Sequence, residues 1–430
     1  MSLSVRLAFA SMLAIAPTHV ATGSPAIVGA GLPAIASTAT PFYATRFERA
    51  PTPAELATLG AALFREKELS ASGRLSCASC HDPDRAFGPP NALPVQLGGP
   101  DGTLAGLRAT PSLKYLQFAP PFIEHFYDVD GNDSEDQGPA GGFMWDGRAL
   151  SAHDQARLPL TSPFEMANDN DAAVVDRLAG SASAGAFRAA FGAHVFADPA
   201  LAFRALSLAL EVFEQSPASF APHDSKYDAY LRGDAKLSPL EARGLALFDD
   251  PAKGNCARCH PSAVKYGVSP LFTDWGFVAI AAPRNRALAA NADPHYFDLG
   301  LCGPVRTDLA DRDDYCGRFR TPTLRNVALR PVFFHNGGVA SLRDAVRFYA
   351  ERDVRPEKWY PRAADGHVEL YDDLPARYWS NVERESPFGG KPGDAPVLDD
   401  GEIDAIVAFL ETLTDGWRAE RAGLHSRGVP

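Results

Sequence analysis

The sequence has few of the residues that would mark several common classes of protein. It contains six cysteines and four methionines, and no methionine follows Met166. No stretch reaches the roughly eighteen consecutive apolar residues that a membrane-spanning helix needs. Basic residues are fewer than acidic ones, 41 against 53, which gives a formal net charge of −12. A membrane-spanning class and a basic surface for nucleic acid are therefore excluded.

What is present is typical of a soluble globular protein. Apolar residues make up 46% of the chain and charged residues 22%. A length of 430 residues is enough for two or three domains with ordinary cores.

The N-terminus has the pattern of a signal peptide over residues 1–23. Arg6 supplies a positive charge, residues 7–16 form a short and largely apolar run, and small residues follow from Ala21. No cysteine follows that run, so a lipid anchor has no acceptor. We therefore expect export to the periplasm. The alternative is a disordered, alanine-rich start that is never exported.

Four of the six cysteines lie in two Cys-x-x-Cys-His motifs. Two cysteines on one helical turn reach the vinyl groups of a porphyrin, and the histidine that follows binds the iron. A zinc site would need the pairs about 15–20 residues apart, and a dithiol redox site has no use for the histidine. The sequence therefore predicts two covalently attached c-type haems, held by Cys77, Cys80 and His81 and by Cys256, Cys259 and His260.

The two remaining cysteines are Cys302 and Cys316. An oxidising compartment favours a disulfide between them, and closing a loop of that length contributes about 3 kcal/mol in the chain-entropy model. The alternative is a pair of unrelated buried thiols.

A degenerate internal repeat precedes the two motifs. The segments 59–64 and 243–248 are similar and helical in pattern, and each follows a Ser or Thr, a proline and an acidic residue, at 52–55 and 238–241. We therefore predict a mainly α protein with two cytochrome c-like haem domains, residues 45–225 and 226–430. Residues 118–141 and 354–398 are predicted as long irregular insertions. Further helical periodicity covers 171–178, 199–214, 342–349 and 402–413.

A group of residues follows the first motif at regular spacing. Trp145, Gln155 and Glu165 are ten residues apart, and Pro159 lies among them. The pattern resembles the bacterial di-haem cytochrome c peroxidases and their MauG-type relatives. The resemblance implies that Trp145 lies between the two haems, that Gln155 and Glu165 line the peroxide pocket, and that Pro159 covers the open face of the iron.

The residue types suit peroxide chemistry. Cleavage of hydrogen peroxide needs a group that removes a proton from one oxygen and returns it to the other, and a positioned carboxylate contributes about 10²–10⁴ in rate. Gln155 can hold peroxide or water by hydrogen bonds. The alternatives are a surface Glu165, a capping Gln155 and a core Trp145.

The other axial position of the first haem has no obvious ligand. Residues 82–111 contain no His, Met or Lys, and the next histidine is His125, inside the first insertion. We expect the iron held by His81 to be open to peroxide, with His125 as the alternative ligand.

The second haem is predicted to have tyrosine as its distal ligand. The family resemblance places Tyr349 at this position, where ordinary members have methionine. No methionine exists in the second half of the chain, which excludes His/Met coordination there. Axial ligands can move haem potentials across about 0.8 V. The alternatives are a core role for Tyr349 and an outer role, such as a propionate contact, for His335.

Calcium binding is doubtful. The resemblance implies a calcium ion between the domains, held by an Asn side chain and two backbone carbonyls. Here Ala109 stands at the Asn position, and the carbonyls fall on Arg330 and Val332.

Three functions remain open at this point. The first is a periplasmic di-haem peroxidase that reduces hydrogen peroxide with electrons from a small c-type cytochrome or cupredoxin. The second is a MauG-like enzyme that oxidises Trp or Tyr side chains of a partner protein through high-valent haem. The third is an electron carrier without peroxide turnover, in which both irons are six-coordinate.

Overall fold

The computed structural model describes residues 41–127, 136–265 and 267–418. The chain divides into two units, Met1–Ala44 and Thr45–Pro430. In the first unit only residues 41–44 are described, and Phe42–Ala44 form one 3-10 turn. The predicted signal peptide, residues 1–23, lies outside the described residues.

The second unit is mainly helical, as predicted. Its described strands are only two residues long and form two antiparallel pairs, Leu97–Gly98 with Leu104–Ala105 and Phe277–Val278 with Phe319–Arg320. Within the described ranges, no helix combines the length and apolar composition that crossing a bilayer requires. In chain order the elements are α1 (Pro53–Leu63), α2 (Cys77–Cys80), β1 (Leu97–Gly98), β2 (Leu104–Ala105), α3 (Ala152–Thr161), α4 (Asp171–Gly180), α5 (Ala184–Phe191), α6 (Pro199–Glu214), α7 (Pro217–Phe220), α8 (Lys226–Leu231), α9 (Pro239–Asp249), β3 (Phe277–Val278), β4 (Phe319–Arg320), α10 (Leu342–Glu351) and α11 (Asp400–Glu411).

The two helices of the internal repeat, α1 and α9, begin in the same way. Thr52 accepts a hydrogen bond from the backbone N–H of Glu55, and Ser238 accepts one from that of Glu241. In both, the glutamate side chain bonds back to the cap residue, which completes a capping box. Proline at the first helical position removes a donor that would have no partner. The repeat predicted these two starts correctly.

Each repeat helix crosses a later helix at a glycine. A Cβ atom on Gly60 of α1 would lie 2.0 Å from the carbonyl oxygen of Ala209 in α6. A Cβ atom on Gly244 of α9 would lie 1.9 Å from the carbonyl oxygen of Ala405 in α11. Real Cβ atoms do not approach an oxygen so closely, so both crossings require glycine. The repeat therefore encodes one helix pair in each half of the chain.

The apolar core follows the same division. Among the described residues, one large cluster of buried side chains is drawn from residues 56–220 with Trp275, and a second from residues 227–413. Phe64 packs on Phe213 at 5.4 Å between ring centroids in the first cluster, and Phe248 packs on Phe409 at 5.2 Å in the second. Each repeat helix thus anchors a separate core.

The insertion at 354–398 packs as part of the second unit. It contains 3-10 turns at Pro356–Lys358 and Ala376–Asn381. Its buried tyrosines share a smaller cluster with Cys302 and Cys316, which form the predicted disulfide. In the other insertion, 118–141, isolated antiparallel bridges join the two sides of the loop wherever it is described.

Candidate functional site

The two Cys-x-x-Cys-His motifs line two different cavities. The first cavity, of ≈ 500 Å³, is lined by Cys77, Cys80 and His81. The second cavity, of ≈ 210 Å³, is lined by the other motif, Cys256, Cys259 and His260. A single zinc ion shared by the four cysteines is therefore excluded. Each motif faces a site of its own.

The two histidines are held in the same orientation. Nδ1 of His81 donates to the carbonyl oxygen of Phe87 at 2.9 Å, and Nδ1 of His260 donates to that of Phe272 at 2.8 Å. Burial lowers the pKa of His81 to about 4 and also lowers that of His260. Both rings are therefore neutral with Nε2 unprotonated, which is the form that binds a metal.

The four motif cysteines are not joined as disulfides. Burial raises the pKa of each thiol to about 12. Thiols that remain neutral at physiological pH are poor ligands for zinc and poor nucleophiles. In the first motif, helix α2 places Cys77 and Cys80 on one turn immediately before His81, as attachment of a haem requires.

Among the predicted catalytic residues, Trp145 is the one that lines both cavities. Its indole N–H donates to the carbonyl oxygen of Ala109 at 2.7 Å. Its own carbonyl accepts from the backbone N–H of Arg320 at 2.8 Å. Positive φ angles at Met144 and Gly147, 69° and 66°, turn the chain sharply on either side. The indole is therefore fixed in the wall between the two cavities.

A buried charge network supports this tryptophan turn. Asp146 is fully buried and pairs with Arg148 at 2.8 Å and with Arg108 at 2.7 Å. Arg108 also forms two hydrogen bonds with Asp298, at 2.6 and 2.7 Å. Opposite charges in contact stabilise a buried carboxylate, and the pKa of Asp298 is lowered despite its burial, mainly by Arg108. Sequence analysis missed Asp298, because no local pattern marks it.

Gln155 and Pro159 reach the first cavity from helix α3. Ser151 caps this helix by accepting from the backbone N–H of Asp154. Gln155 is buried at 8% exposure, and in the part of the chain that the structure describes its side-chain amide has no hydrogen-bond partner. Its donors and acceptor are thus available to a molecule in the cavity.

Glu165 lines the same cavity, and its backbone is fixed by β1. Its carbonyl accepts from the N–H of Gly99 at 2.8 Å, and the next residue, Met166, donates to the carbonyl of Pro159 at 3.0 Å. A Cβ on Gly98 would lie 2.7 Å from the Cα of Glu165, so glycine is needed there. Burial raises the pKa of Glu165, opposed by a hydrogen bond from Ser162 and the charge of Arg148. The predicted residues Trp145, Gln155, Pro159 and Glu165 are therefore brought together in one cavity wall.

His125 lies away from this cavity. Its side chain is 58% exposed and pairs with Asp136 within the insertion, and it does not line the cavity. The described structure thus gives no support to His125 as a ligand. Two methionines, Met144 and Met166, do line the cavity, and sequence analysis did not consider them as ligands.

Tyr349 lines the second cavity from helix α10. No described residue forms a hydrogen bond with its hydroxyl, and burial raises its pKa. Its ring stacks on Phe388 at 5.0 Å between centroids. Phe388 belongs to the insertion at 354–398, which thereby contributes one wall of the second cavity. Sequence analysis could not assign that role.

Two buried polar atoms in the wall of the second cavity lack partners among the described residues. They are Nε of Arg320 and Nε2 of His335. Arg330, in the same wall, has no carboxylate partner in the described chain, and burial lowers its pKa to about 10. Buried cations and donors are normally satisfied. Anionic groups, such as the two propionates of a haem, would satisfy them. The residues present therefore fit a haem.

Comparison with known proteins gives consistent results. The family model described as di-haem cytochrome c peroxidase matches residues 54–236. The MauG protein of Paracoccus denitrificans, a methylamine utilization protein, is 38% identical over 87% of this chain and 92% of its own length. The cytochrome c551 peroxidase of Pseudomonas aeruginosa is 29% identical over 71% of this chain and 75% of its own length.

A solved structure is similar along most of the chain. The di-haem peroxidase BthA of Burkholderia thailandensis is 41% identical, with a TM-score of 0.75. The similarity covers 88% of this chain and 89% of that chain.

Proposed function

The chain belongs to the di-haem cytochrome c peroxidase family, and from that membership we propose that it reduces hydrogen peroxide at a haem held by His81. Haem is the cofactor that the family implies. We further propose that both haems are attached covalently, through thioethers to Cys77 and Cys80 and to Cys256 and Cys259. Each haem would occupy a cytochrome c-like domain of its own, residues 45–225 and 226–430.

The position of Trp145 carries this proposal. Trp145 lines both cavities, so a residue with an aromatic π system lies between the two proposed haem sites. Gln155, Pro159 and Glu165 line the first cavity alone. The proposal therefore assigns peroxide to the first cavity and electron storage or entry to the second, with Trp145 between them.

The chain's own residues supply binding and proton transfer. When bound, the haem supplies an iron for peroxide and the capacity for electron transfer. Gln155 orients hydrogen peroxide through its unpartnered amide. Glu165 takes a proton from one peroxide oxygen and returns a proton to the oxygen that leaves as water. Its raised pKa places it closer to neutral pH, where a carboxyl group can both accept and donate a proton.

The source of electrons divides the proposal into two versions. In one, a small c-type cytochrome or cupredoxin donates electrons. In the other, Trp or Tyr side chains of a partner protein are oxidised, as we infer for MauG-like enzymes. Tyr349 in the second cavity favours the second version, because a tyrosine ligand stabilises oxidised haem more than methionine does. No described methionine lines that cavity.

Export and calcium complete the proposal. Covalent haem attachment and a disulfide fit the periplasm, with residues 1–23 as the signal peptide. We do not propose a calcium ion between the domains, because Ala109 has no side-chain oxygen at the expected ligand position. The carbonyls of Arg330 and Val332 are available whatever their side chains are.

Substitution of Glu165 by glutamine tests the proposal. Glutamine keeps the size but cannot exchange a proton, so we expect peroxide turnover to fall by about 10²–10⁴. Steady-state turnover with each type of donor, together with haem content, measures this. Glu369→Gln is the matched control, because Glu369 is exposed and lines neither cavity. An unchanged rate in Glu165→Gln would overturn the role assigned to Glu165, and an absence of peroxide turnover in the wild-type protein would favour the electron-carrier function.

A further inference from the structure

A second glutamate, Glu214 at the end of α6, lines the first cavity. The helix crossings identify its counterpart in the other half. A Cβ on Gly60 would lie 2.6 Å from the Cβ of Phe213, and a Cβ on Gly244 would lie 2.8 Å from that of Phe409. The residue after each phenylalanine is therefore equivalent, and in the second half it is Leu410, which lines the second cavity. At equivalent positions, the first cavity therefore has the carboxyl group of Glu214 and the second has the apolar side chain of Leu410.

The carboxyl group of Glu214 has no partner among the described residues. No described N–H, O–H or cation pairs with it, in contrast to the buried carboxylates of Asp146 and Asp298. Burial raises the pKa of Glu214 to about 8, and the charge of Glu211 raises it further. With no positive charge beside it, Glu214 therefore carries a proton at neutral pH, and a nearby positive charge would favour loss of that proton.

A chain of polar side chains leads from Glu214 towards solvent. Glu211 precedes it by three residues, and residues so spaced share one face of a helix. Glu211 is 3% exposed, and one of its carboxylate oxygens lies 3.0 Å from Nδ1 of His153. Nε2 of His153 lies 3.8 Å from Asp154, whose side chain is 52% exposed. Asp154 and His153 thus connect the buried pair with the surface.

The other elements that pack on α6 present apolar faces. Helix α1 contributes Leu56, Leu59 and Leu63, and helix α4 contributes Val174, Val175 and Leu178. On the cavity side the titratable groups are the two motif thiols, Glu165, His81, Tyr296, Arg108 and Arg148. Arg108 and Arg148 pair with Asp146, and the charge of Glu214 is the largest charge–charge influence on the thiol of Cys77. No described cation on these elements competes for Glu214.

We propose that Glu214 is a redox-linked proton-binding site of the first haem. Reduction of that haem removes one positive charge from the cavity, so the carboxylate loses a favourable neighbour and binds a proton more tightly. The proton enters from solvent by way of Asp154, His153 and Glu211. Reduction of hydrogen peroxide to two waters consumes two electrons and two protons, and Glu214 takes up one proton with the electron that reduces the first haem. The inference rests on the proposed haem at His81.

A potentiometric titration of the holoprotein, at several pH values on both sides of pH 8, tests the proposal. We expect the potential of the first haem to fall as pH rises, by up to about 59 mV per pH unit, the slope for one proton per electron. Glu214→Gln should lose this slope. The second haem, next to Leu410, should lack it in both proteins, and Glu369→Gln should retain it.

An equal slope in wild type and Glu214→Gln, or no slope in wild type, would overturn the proposal. If the variant does not bind haem, infrared difference spectra of the wild type provide the test. The C=O stretch of a protonated carboxyl group should appear when the first haem is reduced, and its absence counts against Glu214. Haem content is measured separately, so a wild-type protein without haem at His81 would contradict the proposed function rather than this inference.

Discussion

The two halves of the chain use one scaffold and differ in what they place in the cavity. Residues 151–159 and 341–349 are equivalent, because Ser151 caps α3 and Ser341 caps α10 in the same way. Eight residues after each serine, the first half has Pro159 and the second has Tyr349, and each lines its own cavity. Proline has no side-chain ligand atom, whereas tyrosine has a hydroxyl. The difference supports our proposal of one iron open to peroxide and one closed by the protein.

The turn before each of these helices shows the same division. Met144 and Phe334 have φ angles of 69° and 66°, and Gly147 and Gly337 follow with 66° and 61°. Between them Trp145 corresponds to His335. The tryptophan reaches both cavities, whereas His335 lines only the second. Similar backbones therefore present a side chain that lines both cavities in one half and a side chain that lines only one cavity in the other.

Placing a tyrosine in the first cavity should give the largest loss of turnover among changes that test the difference between the two halves. In Pro159→Tyr the hydroxyl would occupy the sixth position of the first iron and exclude peroxide. We expect turnover to fall at least about 100-fold, which corresponds to about 2.7 kcal/mol of transition-state free energy. Steady-state kinetics and the ferric spin state measure this, and Pro159→Ala controls for loss of the proline. Full activity in Pro159→Tyr would show that Pro159 does not face the iron.

Removing the tyrosine from the second cavity should make the two cavities more alike, because neither would then have a tyrosine hydroxyl at this position. Under the proposed coordination, Tyr349→Phe removes an oxygen ligand from the second iron, so its potential should rise by part of the roughly 0.8 V range that axial ligands span. Redox titration measures the shift. The first haem should keep its spin state. An unchanged second potential would mean that Tyr349 is a core aromatic.

Disrupting one of the two helix crossings should affect haem binding only in its own half of the chain. Gly60→Ala and Gly244→Ala each force a Cβ atom against a backbone carbonyl, and we expect each to cost about 1–3 kcal/mol of unfolding free energy. Gly60→Ala should reduce haem content at the first motif and Gly244→Ala at the second. Denaturant unfolding with haem spectra separates the two effects. Gly180→Ala is the control, because no heavy atom lies near its added Cβ. Equal haem loss at both motifs in either variant would contradict two separate cores.

The disulfide should have the smallest effect on turnover. The double substitution Cys302→Ser and Cys316→Ser should lower the unfolding free energy by about 3 kcal/mol. It should leave both haem potentials near their wild-type values, because neither cysteine lines a cavity. Thermal unfolding and redox titration check these expectations. A large change in peroxide turnover would show that the insertion beside the disulfide acts on the site.

The sequence predicted the features that depend on local spacing. The haem motifs and the starts of α1 and α9 rest on residues that are close in the chain, whereas the grouping of Trp145, Gln155, Pro159 and Glu165 came from the family resemblance. Asp298, Phe388 and Glu214 were missed, because each acts through contacts with residues distant in sequence. Only the alignment of the two halves in space shows that Glu214 stands where Leu410 does.

The low-temperature EPR spectrum of the ferric protein, with haem content determined, tests the asymmetry of the two sites most directly. The structure predicts one high-spin signal, from an open iron held by His81, and one low-spin signal, from an iron held by His260 and Tyr349. Two low-spin signals would contradict the open first site. They would point to a ligand such as Met144 or Met166 on the first iron, or to an electron carrier.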